Sequence, residues 1–541
     1  MTEKIWAKWY DKGVPVEHDF PQIPLREMFR RNVEDRPHRP YIVFRDMSFT
    51  YHDSNVMICQ LADSMFKLGI KKGDRVALMM PNIPQYVFSL LACFKTGFIA
   101  VPTNPLYVAD ELKEQFNDSQ TETVIVLAMF ADKVVNLLKD TESSVKRIIV
   151  VQSAAAPVEI EEHEAIYDFN QLVMSGSNVE PDIEILPSDY AMLQYTGGTT
   201  GKAKGCVLTN ANILAMSYQL NTEICGLIPM NDLKALGVIP LFHIFGFNTS
   251  INTCLYTGGT MVLEAQPSVE NILEDIVKYQ PTLWTAVPAL IIGIINHPET
   301  PNYDLRSLKG IMCGSSPVPV EAILKFEELT GAVIFEGYGL SESTNILTAN
   351  MVFKRKIGSV GIPLSNTDLK VVDIENGIDE MPLNEPGEII ARGPQIMPEY
   401  WNNPEETANA LRDGWLYTGD IGYMDEDGFV FIVDRKKDMI ICSGFNVYPR
   451  DIDEVLYTHP AVMDACTIGV KDEKRGEAPK SYIVLKAGKT TNADEIMAYC
   501  REKLAAYKVP QYIEFIEDLP RTMVGKPDRK ELKILAATEK S

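Results

Sequence analysis

Cysteine and histidine are scarce in this chain of 541 residues, and their spacing excludes two kinds of site. The sequence holds nine cysteines and seven histidines. No two cysteines stand at CxxC spacing, so zinc clusters and dithiol redox motifs are not supported, and no HExxH motif occurs. So low a cysteine density in so long a chain is typical of a reducing compartment.

Positive charge is also in short supply. Asp and Glu number 74 against 51 Lys and Arg, which gives a formal net charge of -23. Bulk binding to nucleic acid or to an anionic membrane needs a positive field, so we expect no nucleic-acid partner. A small anionic ligand is compatible with this charge, because it needs only a few local donors.

Long uninterrupted apolar runs are missing as well. Residues 1–15 lack the apolar stretch of a signal peptide. The two most apolar segments, 86–101 and 237–255, are interrupted by Lys95 and His243 respectively. We interpret both segments as buried core and expect no transmembrane segment.

Short apolar runs alternate with helix-length segments in the first part of the chain. Strands separated by helices predict parallel β-α-β units with helices on both faces of a sheet. The predicted strands are residues 74–80, 98–101, 121–127, 147–151, 235–240, 259–263 and 282–287, and two of the predicted helices are 86–96 and 130–138.

The pattern changes twice further along the chain. After about residue 345 glycine and proline become frequent and the strands short, which predicts a small antiparallel barrel or sandwich. The charged run DRKKD at 434–438 then precedes a small α+β unit, so we predict a domain boundary at this run. The elements predicted beyond it are helices at 449–456 and 492–504 and strands at 465–470 and 481–485.

The segment YTGGTTGKAKG at 195–205 has the composition of a phosphate-binding loop. Its four glycines allow tight turns, its three threonines add hydroxyl donors, and its two lysines add positive charge. A Walker A motif aligned on Gly201 would need glycine at Thr196 and a hydroxyl at Ala203, so a P-loop NTPase is not favoured. A flexible surface loop is the alternative, but the hydroxyl and lysine content favours a cradle for a polyphosphate.

This loop resembles the phosphate-binding signature of the adenylate-forming enzymes, which include acyl-CoA synthetases, luciferases and the adenylation domains of peptide synthetases. Most members have proline where this chain has Ala203. Three further segments resemble the family in the expected order, namely EGYGLSE at 336–342, WLYTGD at 415–420 and LPRTMVGK at 519–526. Within the family, strings such as GDRVALMMPN, DRKKDMI and SGFNVYP point to bacterial long-chain fatty-acid CoA ligases, over almost the full length of the chain.

The resemblance implies an α/β fold with a mobile C-terminal domain. The large N-terminal domain, residues 1–434, would contain two doubly wound α/β subdomains plus a small β-barrel and would bind ATP and the acid. Residues 435–541 would form a mobile α+β domain that rotates about a hinge near Lys437.

The resemblance also implies roles for individual residues. Tyr338 would lie against the adenine ring, Asp420 would bind the ribose hydroxyls with help from Arg435, and Lys526 would bridge the carboxylate and the α-phosphate. The catalytic candidates are Lys526, His243, Glu342 and Thr196, and the metal candidates are Glu342 and Thr196. The candidates for binding ATP or coenzyme A are Thr196, Gly197, Gly198, Thr199, Thr200, Lys204, Gly314, Ser315, Glu336, Gly337, Tyr338, Ser341, Asp420, Ile432, Arg435, Lys437 and Gly444.

One of these candidates has a second interpretation. His243 would stand near the carboxylate and the thiol, but a buried histidine with satisfied hydrogen bonds explains it equally well. Ser341 stands where the family usually has threonine, and the hydroxyl that would bind a phosphate oxygen is kept. A hard cation such as Mg²⁺ prefers a carboxylate oxygen, which agrees with Glu342 as its ligand.

The implied reaction activates a carboxylic acid in two steps. The acid and Mg·ATP would give an acyl-adenylate and pyrophosphate, and the thiolate of coenzyme A would then displace AMP. The acid is fatty, alicyclic or aromatic, and the net reaction is reversible in principle. The implied location is cytoplasmic, with attachment to the inner face of the membrane and a homodimer both left open.

Three alternatives share the fold. An acyl-AMP ligase would load a carrier protein, a luciferase-like oxygenase would react the same intermediate with O₂, and a catalytically dead protein would only bind an acyl group. We expect no carrier domain from this sequence. Retention of Glu342, Asp420, Arg435 and Lys526 weighs against the dead protein.

Overall fold

The chain forms two compact units, which we call the large unit and the small unit. The large unit comprises Trp6–Asp368 and Arg392–Leu416, and the small unit consists mainly of Leu369–Ala391 and the described residues from Tyr417 onward. The domain boundary after residue 434 and the hinge near Lys437 stay predictions. The computed structural model describes residues 4–153, 156–196, 203–314, 318–443, 445–472, 474–522 and 525–538.

A seven-stranded sheet of the large unit carries the predicted phosphate loop. Six of its strands are parallel, and the seventh, Lys204–Thr209, pairs antiparallel with Tyr190–Thr196. The parallel strands read as continuous apolar runs, because helices cover such sheets on both faces. The spatial order of the strands is Ile166–Asp168, Arg147–Val151, Thr123–Leu127, Arg75–Met79, Ile99–Pro102, Tyr190–Thr196 and Lys204–Thr209.

A nine-stranded sheet forms the second α/β layer of the large unit. Its six central strands are parallel, and short antiparallel strands flank them at both edges. The buried core beside it includes Trp284, Phe245 and Val287. The spatial order is Ile362–Pro363, Thr348–Ala349, Val333–Tyr338, Gly310–Cys313, Leu283–Ala286, Lys234–Gly237, Thr260–Leu263, Pro40–Phe44 and Met47–Thr50.

Helices connect these strands, and several begin at a side-chain cap. Thr209 caps the helix Asn210–Leu227: its hydroxyl accepts from the N–H of Asn212, whose side chain accepts from the N–H of Thr209. The other α-helices of the large unit are Leu25–Asp35, Tyr51–Lys67, Pro84–Thr96, Ala109–Ser119, Ala131–Lys139, Phe169–Ser175, Ile244–Gly246, Thr253–Thr257, Val269–Tyr279, Pro288–Asn296, Val320–Thr330 and Pro404–Ala410.

The segment 237–255, interpreted from its sequence as core, is buried. A π-helical turn, Phe247–Asn252, joins two short α-helices there, and its asparagines bond to neighbouring backbone carbonyls. Among the described residues, none of the helices combines the length and apolarity that crossing a membrane requires.

Two further sheets lie wholly or mostly in the small unit, and its described residues form three helices. In one sheet Trp415–Met424 pairs antiparallel with Val430–Arg435, and in the other Val462–Asp472 pairs antiparallel with Gly476–Leu485. The remaining strands that lie mainly in the small unit are Asp368–Val372, Gly387–Arg392, Ile440–Cys442, Phe445–Val447 and Tyr512–Phe515. The short strand Leu411–Arg412, which pairs with Leu416 and Trp415, belongs to the large unit. The helices of the small unit are Pro449–Tyr457, Ala493–Lys503 and Arg529–Thr538.

These elements confirm the predicted α/β class with a separate α+β C-terminal region. No strand was predicted after the phosphate loop, but Lys204–Thr209 is a strand, because its backbone completes an antiparallel hairpin with Tyr190–Thr196.

Candidate active site

The predicted phosphate loop joins the two strands of this hairpin. Thr196 ends a buried parallel strand and faces Lys204, which begins the returning strand. The Thr196 hydroxyl donates to the Lys204 carbonyl oxygen over 3.5 Å. Four predicted residues of the loop, Gly197, Gly198, Thr199 and Thr200, lie outside the described residues.

The side chain of Lys204 is held by two neighbours. Its ammonium group pairs with the carboxylate of Glu406 and lies 5.3 Å from the ring centre of Tyr400. The hydrogen bond from Lys204 lowers the pKa of Glu406. A cation therefore stands near the end of the predicted loop, in a chain whose overall charge is negative.

A second turn brings Tyr338, Ser341 and Glu342 together. The strand Val333–Tyr338 ends at Tyr338, and the 3₁₀ turn Ser341–Ser343 follows after two residues. Gly339 between them has no room for a side chain, since a Cβ atom there would lie 1.9 Å from the carbonyl oxygen of Asn345.

Two more predicted residues fix the strand before this turn. The carboxylate of Glu336 is buried and accepts from the backbone N–H of Val318 over 3.0 Å. At Gly337 a Cβ atom would lie 3.2 Å from the carbonyl oxygen of Thr348 on the neighbouring strand. Both residues thus have a structural role that is compatible with a nucleotide lying against the turn.

Glu342 has the features of a magnesium ligand. Its Oε1 accepts a hydrogen bond of 2.6 Å from the Tyr400 hydroxyl, and within the described residues no donor binds Oε2. The described part of the chain contains no group of three or more His, Cys, Asp or Glu side chains that could hold a metal. A single carboxylate oxygen fits Mg²⁺, which keeps water and substrate phosphates as its other ligands.

His243 stands two residues before Phe245, whose ring reaches the candidate nucleotide-binding residue Gly314. Its Nδ1 accepts from the N–H of Phe245 over 3.2 Å, so His243 caps the helix that follows. The ring of Phe245 reaches Gly314, where a Cβ atom would lie 3.1 Å from that ring. The structure therefore brings His243, Phe245 and Gly314 to one place, whereas Ser315 lies outside the described residues.

In the small unit, the predicted ribose-binding residues form a cross-strand pair. Asp420 and Arg435 are opposite each other in an antiparallel ladder, with 3.1 Å between Asp420 Oδ1 and Arg435 Nε. Asp420 is buried and Arg435 half-buried. Such a carboxylate is fixed in place by its partner and can still accept from two hydroxyl groups.

Lys526 belongs to the same electrostatic cluster. Burial and the charge of Arg435 lower the pKa of Lys526 to about 8, although the Asp420 carboxylate acts in the opposite direction. The backbone around Lys526 is held by Thr522, whose N–H donates to the Lys526 carbonyl oxygen over 2.8 Å. Perturbed lysines of this kind are frequent at functional sites.

A cleft of about 310 Å³ lies beside this cluster. Lys436, one of its lining residues, pairs with Glu388 over 2.7 Å. Ile432 is a candidate for binding ATP or coenzyme A, and its carbonyl oxygen accepts from Arg450 over 2.6 Å. Gly444 lies outside the described residues. The cleft is lined by Thr418, Gly419, Arg435, Lys436 and Lys437, so three of its five residues are basic.

Sequence reasoning missed three residues at these clusters. Tyr400 and Glu406 contact Glu342 and Lys204 from a segment that no motif marked. Arg529 pairs over 3.3 Å with Asp434, the residue before the predicted ribose-binding residue Arg435. Only the pairing of distant segments reveals these contacts, so no spacing rule in the sequence could have found them.

Comparison with known proteins gives a consistent result. The AMP-binding enzyme model matches residues 29–401, and the model of the AMP-binding enzyme C-terminal domain matches residues 451–526. A long-chain-fatty-acid–CoA ligase of Bacillus subtilis is 39% identical, with 98% of each chain covered. A 4-coumarate–CoA ligase of Vanilla planifolia is 33% identical, covering 94% of this chain and 93% of its own.

A solved structure extends the similarity to three dimensions. The crystal structure of an anthranilate CoA ligase in complex with anthranoyl-AMP superposes with a TM-score of 0.88 at 26% identity. The match covers 96% of this chain and 99% of that one.

Proposed function

The chain belongs to the AMP-binding enzyme family, and we propose how its residues divide the two half-reactions of an acid–CoA ligase. The protein is an AMP-forming acyl-CoA synthetase that uses ATP and coenzyme A and acts through an acyl-adenylate. A carboxylate is a poor electrophile, so ATP must first convert it into an ester with a good leaving group.

In the first half-reaction a carboxylate oxygen attacks the α-phosphorus of ATP and the bond to pyrophosphate breaks. We assign Lys526 to stabilising the negative charge that develops around the α-phosphate, because a fixed cation acts most strongly where charge appears in the transition state. Asp420 and Arg435 hold the ribose. Glu342 and Thr196 would hold Mg²⁺, which would supply further positive charge to the phosphates.

In the second half-reaction the thiolate of coenzyme A attacks the acyl carbon, and the bond to AMP breaks. We assign Lys526 to the first step alone, because rotation about the hinge predicted near Lys437 would withdraw it before coenzyme A enters. His243 stands beside Phe245 and Gly314, and we place the acyl group near this trio.

The acid is proposed to carry an apolar chain or ring. Phe245 belongs to a buried cluster with Trp284 and Val287, so the surroundings of His243 are apolar. The relatives named for long-chain fatty acids and for 4-coumarate support both aliphatic and aromatic acids. A cytoplasmic location, attachment to the inner face of the membrane and a homodimer remain predictions from the sequence.

One observation carries this assignment: Lys526 and the Asp420–Arg435 pair lie in one cluster, with the pKa of Lys526 lowered to about 8. The test is pyrophosphate release from ATP with a panel of fatty, alicyclic and aromatic acids, with and without coenzyme A. We expect an acid-dependent burst without coenzyme A and continuous turnover to a thioester, identified by mass spectrometry, when it is added.

Two other results would point to the alternatives. Accumulation of acyl-adenylate with no thioester in the presence of coenzyme A would indicate a ligase that loads a carrier protein. Background release across the whole panel, from a folded protein, would indicate an acyl-binding protein without activity.

A further inference from the structure

A buried tyrosine contacts the proposed magnesium ligand. The Tyr400 hydroxyl donates to Glu342 Oε1 over 2.6 Å, and the tyrosine side chain is only 7% exposed. The two residues are 58 positions apart in sequence. A hydrogen bond to one oxygen of a carboxylate fixes the direction in which the other oxygen points.

The backbone on both sides of Tyr400 is fixed to the hairpin. The N–H of Trp401 donates to the Gly205 carbonyl oxygen over 2.8 Å, and Glu399 accepts from the N–H of Val207 over 3.0 Å. The N–H of Tyr400 itself donates to the Thr407 hydroxyl. The tyrosine is therefore attached to the strand that follows the predicted phosphate loop, while its hydroxyl reaches the turn that carries Glu342.

Two neighbours fix the side chain of Tyr400. The ammonium group of Lys204 lies over its ring, 5.3 Å from the ring centre. Its hydroxyl is the donor in the 2.6 Å contact with Glu342 Oε1. The ring face and the hydroxyl of Tyr400 therefore each have one defined partner.

We propose that Tyr400 is a positioning residue that holds Oε1 of Glu342 and so presents Oε2 to the magnesium ion of Mg·ATP. This inference rests on the proposed role of Glu342 as the metal ligand. Removal of a hydrogen bond that orients a metal ligand typically costs about 10- to 100-fold in metal affinity.

Tyr400→Phe removes the hydroxyl and keeps the ring that packs beside Lys204. The chain offers a matched control in Tyr190, whose hydroxyl donates to Glu399 Oε1 over 2.8 Å. Tyr190→Phe makes the same chemical change on a carboxylate that we do not assign to the metal.

The experiment measures ATP binding to the full chain by calorimetry, once with excess Mg²⁺ and once with EDTA. For Tyr400→Phe we expect binding of Mg·ATP to weaken about 10- to 100-fold and binding of metal-free ATP to stay unchanged. Tyr190→Phe should change neither value. Thermal melts of the three proteins show whether each variant is folded at the temperature of the titration.

A third variant separates this inference from the role of Glu342. Glu342→Gln should remove the contribution of Mg²⁺, and Tyr400→Phe should then add no further loss. The positioning role of Tyr400 is wrong if Glu342→Gln removes the contribution of Mg²⁺ while Tyr400→Phe leaves it intact. It is also wrong if Tyr400→Phe weakens the binding of Mg·ATP and of metal-free ATP equally. If Glu342→Gln leaves the contribution of Mg²⁺ intact, the metal role of Glu342 is wrong instead.

Discussion

Lys526 is the residue whose ionisation should be visible in the kinetics. Its pKa is lowered to about 8, so the free enzyme carries the cation below this pH and loses it above. We expect kcat/KM of the adenylation half-reaction to fall as the pH rises through about 8, since this ratio reports the pKa values of the free enzyme. The negative charge of bound triphosphate should raise the pKa of Lys526. The corresponding fall in kcat, the alkaline limb of its pH profile, should therefore appear at higher pH than the fall in kcat/KM.

The measurement is acid-dependent pyrophosphate release without coenzyme A between pH 6 and 10, compared in the wild type and in Lys526→Arg. Arginine stays charged throughout this range, so the limb should disappear in the variant, even though its maximum rate is lower. A limb at the same pH in both proteins would assign the ionisation to another group.

At the residue scale, the family resemblance assigned some distant residues to one ligand, and their roles stay predictions. Asp420 and Arg435 were predicted as partners and form a cross-strand pair. Tyr400 was not predicted, because nothing in the segment PEYWNN relates it to Glu342. Contacts between distant segments depend on the pairing of residues 399–401 with the strand Lys204–Thr209.

At the scale of elements, the turn after the strand Val333–Tyr338 depends on Gly339. A Cβ atom there would meet the Asn345 carbonyl oxygen at 1.9 Å, so Gly339→Ala must displace the turn that carries Ser341 and Glu342. Such overpacking costs about 1–3 kcal/mol, and we expect at least about tenfold weaker ATP binding by calorimetry.

Gly226→Ala provides the control for this substitution. Gly226 lies in the helix Asn210–Leu227, and the nearest atom to an added Cβ is 3.9 Å away, on Phe353. Alanine should raise the free energy of unfolding by about 0.5–1 kcal/mol and leave ATP binding unchanged. Equal ATP affinity in both variants would show that the turn tolerates a side chain.

The C-terminal helix Arg529–Thr538 is tied to the segment of the predicted hinge by a buried ion cluster. Arg529 pairs with Asp434 over 3.3 Å and with Asp453 over 3.1 Å. Arg529→Met should lower the free energy of unfolding by about 3–5 kcal/mol at pH 8, because two buried carboxylates lose their cation.

The loss caused by Arg529→Met should shrink at lower pH. Burial raises the pKa of both carboxylates even with Arg529 present, that of Asp453 to about 7, and loss of the cation would raise it further. The penalty is therefore largest at high pH and disappears as both carboxylates become protonated. Urea melts of both proteins at pH 8 and pH 5 test this sign. A deficit that is the same at both pH values would mean that Arg529 stabilises through packing alone.

The accuracy of the predicted elements followed their apolar content. The strand predicted at 147–151 agrees with Arg147–Val151, and that at 74–80 with Arg75–Met79. The strands predicted at 465–470 and 481–485 are longer in the structure, at Val462–Asp472 and Gly476–Leu485. Their polar ends extend because each strand pairs with the other, and such cross-strand support is absent from a single sequence.

At the scale of the whole molecule, the chain folds as two compact units, with Thr196 and Glu342 in the large unit and Asp420, Arg435 and Lys526 in the small unit. Composition and alternation predicted the α/β layers. The subsets of residues that share a unit were not predictable, since they depend on which sheet each short strand joins. The proposed function uses residues of both units in the first half-reaction, and Lys526 in that half alone.

The most direct test of this account is the behaviour of Lys526→Ala in the two half-reactions, measured separately under single-turnover conditions. Acyl-adenylate formation from acid and Mg·ATP should fall by at least about a hundredfold, because the cation acts on charge that appears only in the transition state. Thioester formation from supplied acyl-adenylate and coenzyme A should stay within about twofold of the wild type. An equal loss in both half-reactions, from a variant that melts like the wild type, would contradict the assignment of Lys526 to adenylation.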